Sequence, residues 1–285
     1  MKSNAVKIIL CTFFFIGGMM FARAMQVDYI SFKPSVGAFS LSADGRVATI
    51  CVDTADYKGV RLAARNLGTD IGRVTGTAAD VSLSLSSERG AVVVGTIGRN
   101  RQIDEWAKQG KLDVSAIEGK WESYLIQTVD GNLVIAGSDK RGTIFGIYDL
   151  SEKIGVSPWH YFADVPAQRH AALYVKPGRY VQDSPKVKYR GIFLNDEWPS
   201  LGGWASKKFG GFNSRFYAHV FELLLRLKAN YMWPAMWASS FYEDDPANGQ
   251  LADDMGIVMG TSHHEPMMRP HKDYTKRRKE VGPWN

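Results

Sequence analysis

A chain of 285 residues that is 45% hydrophobic and 12% aromatic is too apolar to remain disordered, and it is long enough for two domains with a core each. Its formal charge of +6 sits at the ends: Lys2, Lys7 and Arg23 precede residue 25, while Lys272, Lys276, Arg277, Arg278 and Lys279 face only Asp273 and Glu280 past Pro270. The body between is close to neutral, which argues against a nucleic-acid surface, and the basic end reads as a solvated helix face.

The first residues read as an export signal. Lys2 and Lys7 precede an apolar run, Ile8 to Phe21, and Ala22-Arg23-Ala24 supplies the small residues a signal peptidase reads, so residues 1–24 are expected to be removed after Ala24. That places the protein in a secreted or periplasmic setting. A membrane anchor is the weaker reading, because the run falls short of the ~20 residues a span needs. Cys11 lies inside this leader, and Cys51, in the apolar setting VATICV, reads as an inert buried thiol.

Residues 25–185 read as a small α/β domain. Val47 to Val52 is a β-branched run, and Val60 to Ile71 places Val60, Ala63, Ala64, Leu67 and Ile71 on one helical face. Ala91 to Gly95 follows as a buried strand and Ile103 to Lys108 as a short helix. Glu122 to Val129 and Asn132 to Gly137 flank Asp130-Gly131, a pair suited to a two-residue hairpin turn. A helix over Gly142 to Ile154 presents Ile144, Ile147, Tyr148 and Ile154 and is capped by Gly155. Neither Gly95 to Gly98 nor Ser138 to Gly142 has the spacing of a phosphate loop, so no nucleotide cofactor is expected. From Ser157 to Pro185 the composition turns to Pro, Gly and charge, and the domain boundary is placed near its end.

Residues 186–285 alternate strand and helix. Lys188 to Leu194, Asn230 to Trp233 and Gly256 to Gly260 read as strands. Between them, Phe216 to Lys228 carries Phe216, Val220, Leu223, Leu224 and Leu227 on one face, and Asn248 to Met255 turns Leu251 and Met255 inward. This is the unit of a parallel sheet, here the first three β/α units of an incomplete (β/α)8 TIM barrel, since three strands cannot close one. Each strand runs into polar or aromatic residues: YRGIFLNDEWP from Tyr189, NYMWPAMW from Asn230 and GIVMGTSHHEPMMR from Gly256. Barrel active sites lie where the strands end, so three such endings point to one pocket.

In this order the three stretches resemble glycoside hydrolase family 115, the α-glucuronidases that remove glucuronic acid or its 4-O-methyl form from xylan side chains. The resemblance implies a small α/β domain ahead of a (β/α)8 barrel, several times more sequence, glucuronoxylan or its oligosaccharides as substrate, no cofactor, and an inverting acid/base mechanism. It implies that this chain is an N-terminal fragment. Two other classes stay open: an exo-glycosidase of different specificity with the same architecture, and a non-catalytic carbohydrate-binding protein.

The individual residues have competing roles. Side chains alternate along a strand, so Asp196 and Glu197 are expected to point in opposite directions and cannot together form an acid/base pair, which stands ~6.5 to 9.5 Å apart in an inverting site. Asn195, Asp196 and Glu197 read as substrate ligands, with Asp196 also suited to assist a water, against the plainer reading of a carboxylate that caps the following loop or pairs with Arg190 or Arg215. The main acid and base are expected after Asn285, and residues 25–285 alone are expected to be inactive. Trp233 and Trp237 suit stacking on a sugar face, with the indole N–H free for a hydroxyl, or else core packing beside Met232 and Met236. His263 and His264, adjacent on a strand end, diverge too far for a metal and lack supporting Cys or a helical His pair, so hydrogen bonding to a uronate or hydroxyl is the better reading. Arg269 either pairs with the uronate or holds Glu265.

Overall fold

The buried strands decide the layering. The computed structural model describes residues 28–84, 89–234, 239–260 and 271–283. In chain order its elements are β1 Ile30–Ser31, β2 Phe39–Ala43, β3 Arg46–Val47, β4 Ile50–Val52, α1 Lys58–Thr75, β5 Val81–Ser82, β6 Val92–Thr96, α2 Arg101–Lys108, β7 Tyr124–Val129, β8 Asn132–Gly137, α3 Lys140–Lys153, β9 Leu173–Val175 and β10 Arg179–Gln182. They continue with β11 Gly191–Phe193, α4 Leu201–Phe209, α5 Ser214–Arg226, β12 Tyr231–Trp233, α6 Phe241–Asp244, α7 Ala247–Met255, β13 Val258–Met259 and α8 His271–Val281.

Every residue of β4, β6 and β8 is buried, and a strand apolar on both faces needs cover on both. These strands form the parallel centre of a six-stranded sheet, ordered β10-β7-β8-β6-β4-β5, with β7 and β10 antiparallel at one edge. On one face Val92, Val94, Leu133 and Ile135 meet α1 and α3 through Val60, Ala64, Leu67, Ile144 and Ile147. On the other, Cys51, Val93, Val134 and Ala136 meet Ile103 and Trp106 of α2. The β7–β8 turn has Asp130 and Gly131 at φ +49° and +82°, the two positive values of a primed hairpin turn.

A second, antiparallel sheet of order β1-β9-β2-β3 was not foreseen. The expected strand Val47 to Val52 breaks at Ala48-Thr49, so that β3 joins this sheet and β4 the six-stranded one. The expected linker Ser157 to Pro185 holds β9, paired to β1 and β2, and β10, paired to β7. Pro and Gly flank these short strands, and their partners lie 50 or more residues away, so local pattern does not report them.

The third sheet is parallel, in the order β11-β12-β13. Helix α5 begins where Asn213 Oδ1 accepts from the amides of Arg215 and Phe216 at 3.1 and 3.3 Å, a cap worth about 1 kcal/mol. It buries Phe216, Val220, Leu223 and Leu224, but Leu227, expected on that face, caps the helix end and is 44% exposed. Helix α4, before it, had no counterpart in the sequence reading.

One apolar core runs from the six-stranded sheet through α3 and α5 to Met232 of β12 and Met255 of α7. Buried ions pin the same junction. Glu122, at φ +52° with its carboxylate fully buried, receives Arg141, Arg190 and Asn230, each at 2.6 Å. Asp70 holds the buried Arg226 at 2.8 Å, and Asp149 holds Lys228 at 2.6 Å. Arg190 is thus committed to Glu122, and Arg215 reaches the Phe209 carbonyl. No helix among the described residues is long and apolar enough to cross a membrane. Helix α8 turns Arg278 and Lys279 to solvent.

Candidate functional site

Parallel pairing sets two of the three polar strand ends side by side. Gly191, Ile192 and Phe193 lie opposite Tyr231, Met232 and Trp233, and the ladder continues as Leu194 N–H donates to the Trp233 carbonyl at 2.9 Å. Asn195 and Asp196 therefore emerge beside Trp233. Met232 is fully buried toward the helices, whereas Phe193 and Trp233, on the opposite face, are 41% and 38% exposed. Their rings meet edge to face with centroids 6.1 Å apart, and Tyr231 stands 6.3 Å from Trp233 on the same face. Gly260, after β13, must be bare here: a Cβ on it would fall 1.8 Å from the Tyr231 hydroxyl and 2.6 Å from the Trp233 ring.

The carboxylates separate in space. Asp196 is 1% exposed, and Glu197 is exposed, its Oε1 accepting from Asn195 Nδ2 at 3.0 Å. Asn195 Oδ1 is buried with no hydrogen-bond donor among the described residues, a cost a ligand donor would remove. The Glu197 carbonyl accepts from Ser200 Oγ at 3.0 Å and from the Gly202 amide at 3.2 Å, which turns the chain into α4. The Trp233 N–H, expected to be free for a sugar, donates instead to the Tyr231 hydroxyl at 2.9 Å, leaving Trp233 its ring face. Trp237, His263, His264 and Arg269 lie outside the described residues.

Phe193 and Tyr231 were missed in the sequence although their signal was present. Tyr189, Phe193, Tyr231 and Trp233 share the period of two that puts side chains on one strand face. Among the described residues no group of three His, Cys, Asp or Glu side chains could hold a metal ion. The described histidines work elsewhere. His219 stacks on Tyr161 at 3.8 Å, and His160 lies 4.0 Å from Glu222; burial pushes both imidazoles below their ordinary range.

Residues 182–285, which carry this site, match the model of glycosyl hydrolase family 115. This segment belongs to that family. Family 115 is also the description of a solved relative, BtGH115A, a 4-O-methyl-α-glucuronidase with specificity for decorated arabinogalactans. The chain is 32% identical to it over 87% of its own residues, with a TM-score of 0.73, and spans 32% of that enzyme's length. The match extends well beyond the family 115 segment into the preceding sheets. Remoter matches are a chitobiase of Flavobacterium johnsoniae, 12% identical with a TM-score of 0.47 over 82% of this chain and 33% of that one, and a Vibrio harveyi exo-β-N-acetylglucosaminidase, 11% identical with 0.44 over 81% and 34%. Likeness this low says nothing of specificity. A search of curated proteins found no match.

Proposed function

We propose that the full protein is a glycoside hydrolase that removes glucuronic acid or 4-O-methylglucuronic acid from polysaccharide side chains. What supports this reading is a family 115 segment in which buried Asp196 and Asn195, its Oδ1 without a donor among the described residues, follow the strand paired to Trp233. On this reading β11, β12 and β13 open a (β/α)8 barrel, residues 25–185 form the domain ahead of it, and the exported chain meets glucuronoxylan or a glucuronidated arabinogalactan. Consecutive parallel strands joined by helices support the barrel, because that connection recurs around one.

The chemistry assigned is inversion. One carboxyl protonates the leaving oxygen while a second draws a proton from water attacking the opposite face of the sugar. Asp196 is placed to orient hydroxyls or the water, and Asn195 to accept a hydroxyl. Since Asp196 and Glu197 diverge, they do not supply both members of the pair between them. Trp233 and Trp237 are assigned to stack on the ring, and His263, His264 and Arg269 to meet the uronate. The test is release of uronic acid by the full protein from glucuronoxylan and from glucuronidated arabinogalactan, with the anomer followed by NMR. The reading requires release, first as the β anomer from an α linkage, and a loss of at least tenfold in turnover for Asp196→Asn. Release of neutral sugars alone would refute it.

A further inference from the structure

Trp198 has no part in the strand-end site, yet it is 61% exposed, the most open indole among the described residues. Its other face is held. A Cβ on Gly202 would stand 2.6 Å from the indole nitrogen, and one on Gly203 would stand 3.6 Å from the far edge of the ring. The indole therefore packs against the first turn of α4, where Gly202 leaves room for it. The Asp196 carbonyl is 2.8 Å from the same Gly202 point, so the Trp198 ring and the buried carboxylate's residue are immediate neighbours.

Beside Trp198 opens a cavity of about 280 Å³ lined by Ser206, Asn213, Ser239 and Asp244. Ser206 and Ser239 supply hydroxyls, and Asp244 a carboxylate, at the same end of the third sheet as Asn195, while the Asn213 amide caps α5 and donates to the Phe209 carbonyl at 2.8 Å. Asp244 accepts from the Ser240 amide at 2.7 Å, and Lys276 balances its charge at 3.3 Å. The lining thus has no uncompensated charge. A fixed aromatic plane bordering a neutral, hydroxyl-rich hollow has the chemistry of a pyranose subsite, the ring's C–H face on the indole and its hydroxyls on the polar wall.

We propose that Trp198 and this cavity form a subsite for a neutral pyranose of the polysaccharide main chain, distinct from the place where the uronate is held. The proposal rests on the glucuronidase reading for its catalytic consequence but not for its binding consequence. A main chain of xylose and one of galactose offer the same chemistry, so both are probed.

In the full protein, Trp198→Ala is compared with Trp198→Phe and the parent on decorated polysaccharide, on an aryl α-glucuronide with no main chain, and in calorimetric titration with neutral xylohexaose and galactohexaose. The subsite predicts that Trp198→Ala lowers kcat/KM on polymer about tenfold more than on the aryl glucuronide, chiefly through KM, with Trp198→Phe recovering part of the loss. It also predicts that one of the two neutral hexasaccharides binds the parent and is lost in Trp198→Ala, which identifies the main chain. Equal losses on both substrates with a lowered Tm would make Trp198 a packing residue and overturn the subsite. Failure of the parent to bind either hexasaccharide would overturn it too. If the parent cleaves no glucuronide but binds a neutral hexasaccharide through Trp198, the glucuronidase reading fails and the subsite stands.

Discussion

The six-stranded sheet and the three-stranded sheet are built from similar apolar words and put to different uses. In β8 all six residues are buried, between α1 and α3 on one side and α2 on the other. In β11 all three are exposed, and only one face of β12 is buried. A strand covered twice contributes stability alone, whereas the face carrying Phe193, Tyr231 and Trp233 is open among the described residues, and in the proposed barrel further strands would share its cover. Where apolar residues are placed, more than how many there are, separates scaffold from site.

Three measurements test that contrast, beginning at the junction. Glu122→Ala leaves Arg141, Arg190 and Asn230 without their shared partner in a buried setting, and urea unfolding is expected to show a loss of about 3–5 kcal/mol. Its replacement by a loss under about 1 kcal/mol would mean that water reaches the cluster and that the two sheets are less firmly joined than the geometry indicates. Next, Ile135→Ala in β8 is expected to cost roughly 2–5 kcal/mol, and Ile192→Ala in β11, 41% exposed, less than about 1 kcal/mol. Equal costs would erase the distinction between the sheets.

The smallest effect concerns pH. Burial first, then the cations Arg226 and Arg73, lowers the His160 pKa below its ordinary 6.5. The unfolded chain therefore binds the proton more readily. Stability from this group is intact above pH 6.5 and declines as pH falls from 6.5 through the lower folded pKa, below which the penalty is constant. His160→Gln should flatten that part of the stability profile; an unaltered slope would assign it to His219 or another group.

Several features were legible because they depend on local period. The helix α1, the hairpin at Asp130-Gly131 and α3 stand where the apolar spacing and turn residues put them. Residues that answer to distant partners were not legible. β9 and β10 look like linker because their ladders are made with β1, β2 and β7. Leu227 fits the apolar face of α5 by spacing, but the helix ends before it.

Amino-acid order alone determined helices α1, α3 and α5 and the hairpin between β7 and β8, since each depends on residues within a few positions of one another. Tertiary packing decided that β3 and β4 part into different sheets, that Glu122 and Asp70 meet Arg190 and Arg226 from far along the chain, and that Trp198 lies open beside a polar hollow. Those outcomes turn on which chain segment lies against which, and a buried charge or an exposed ring is defined only once its neighbours are in place.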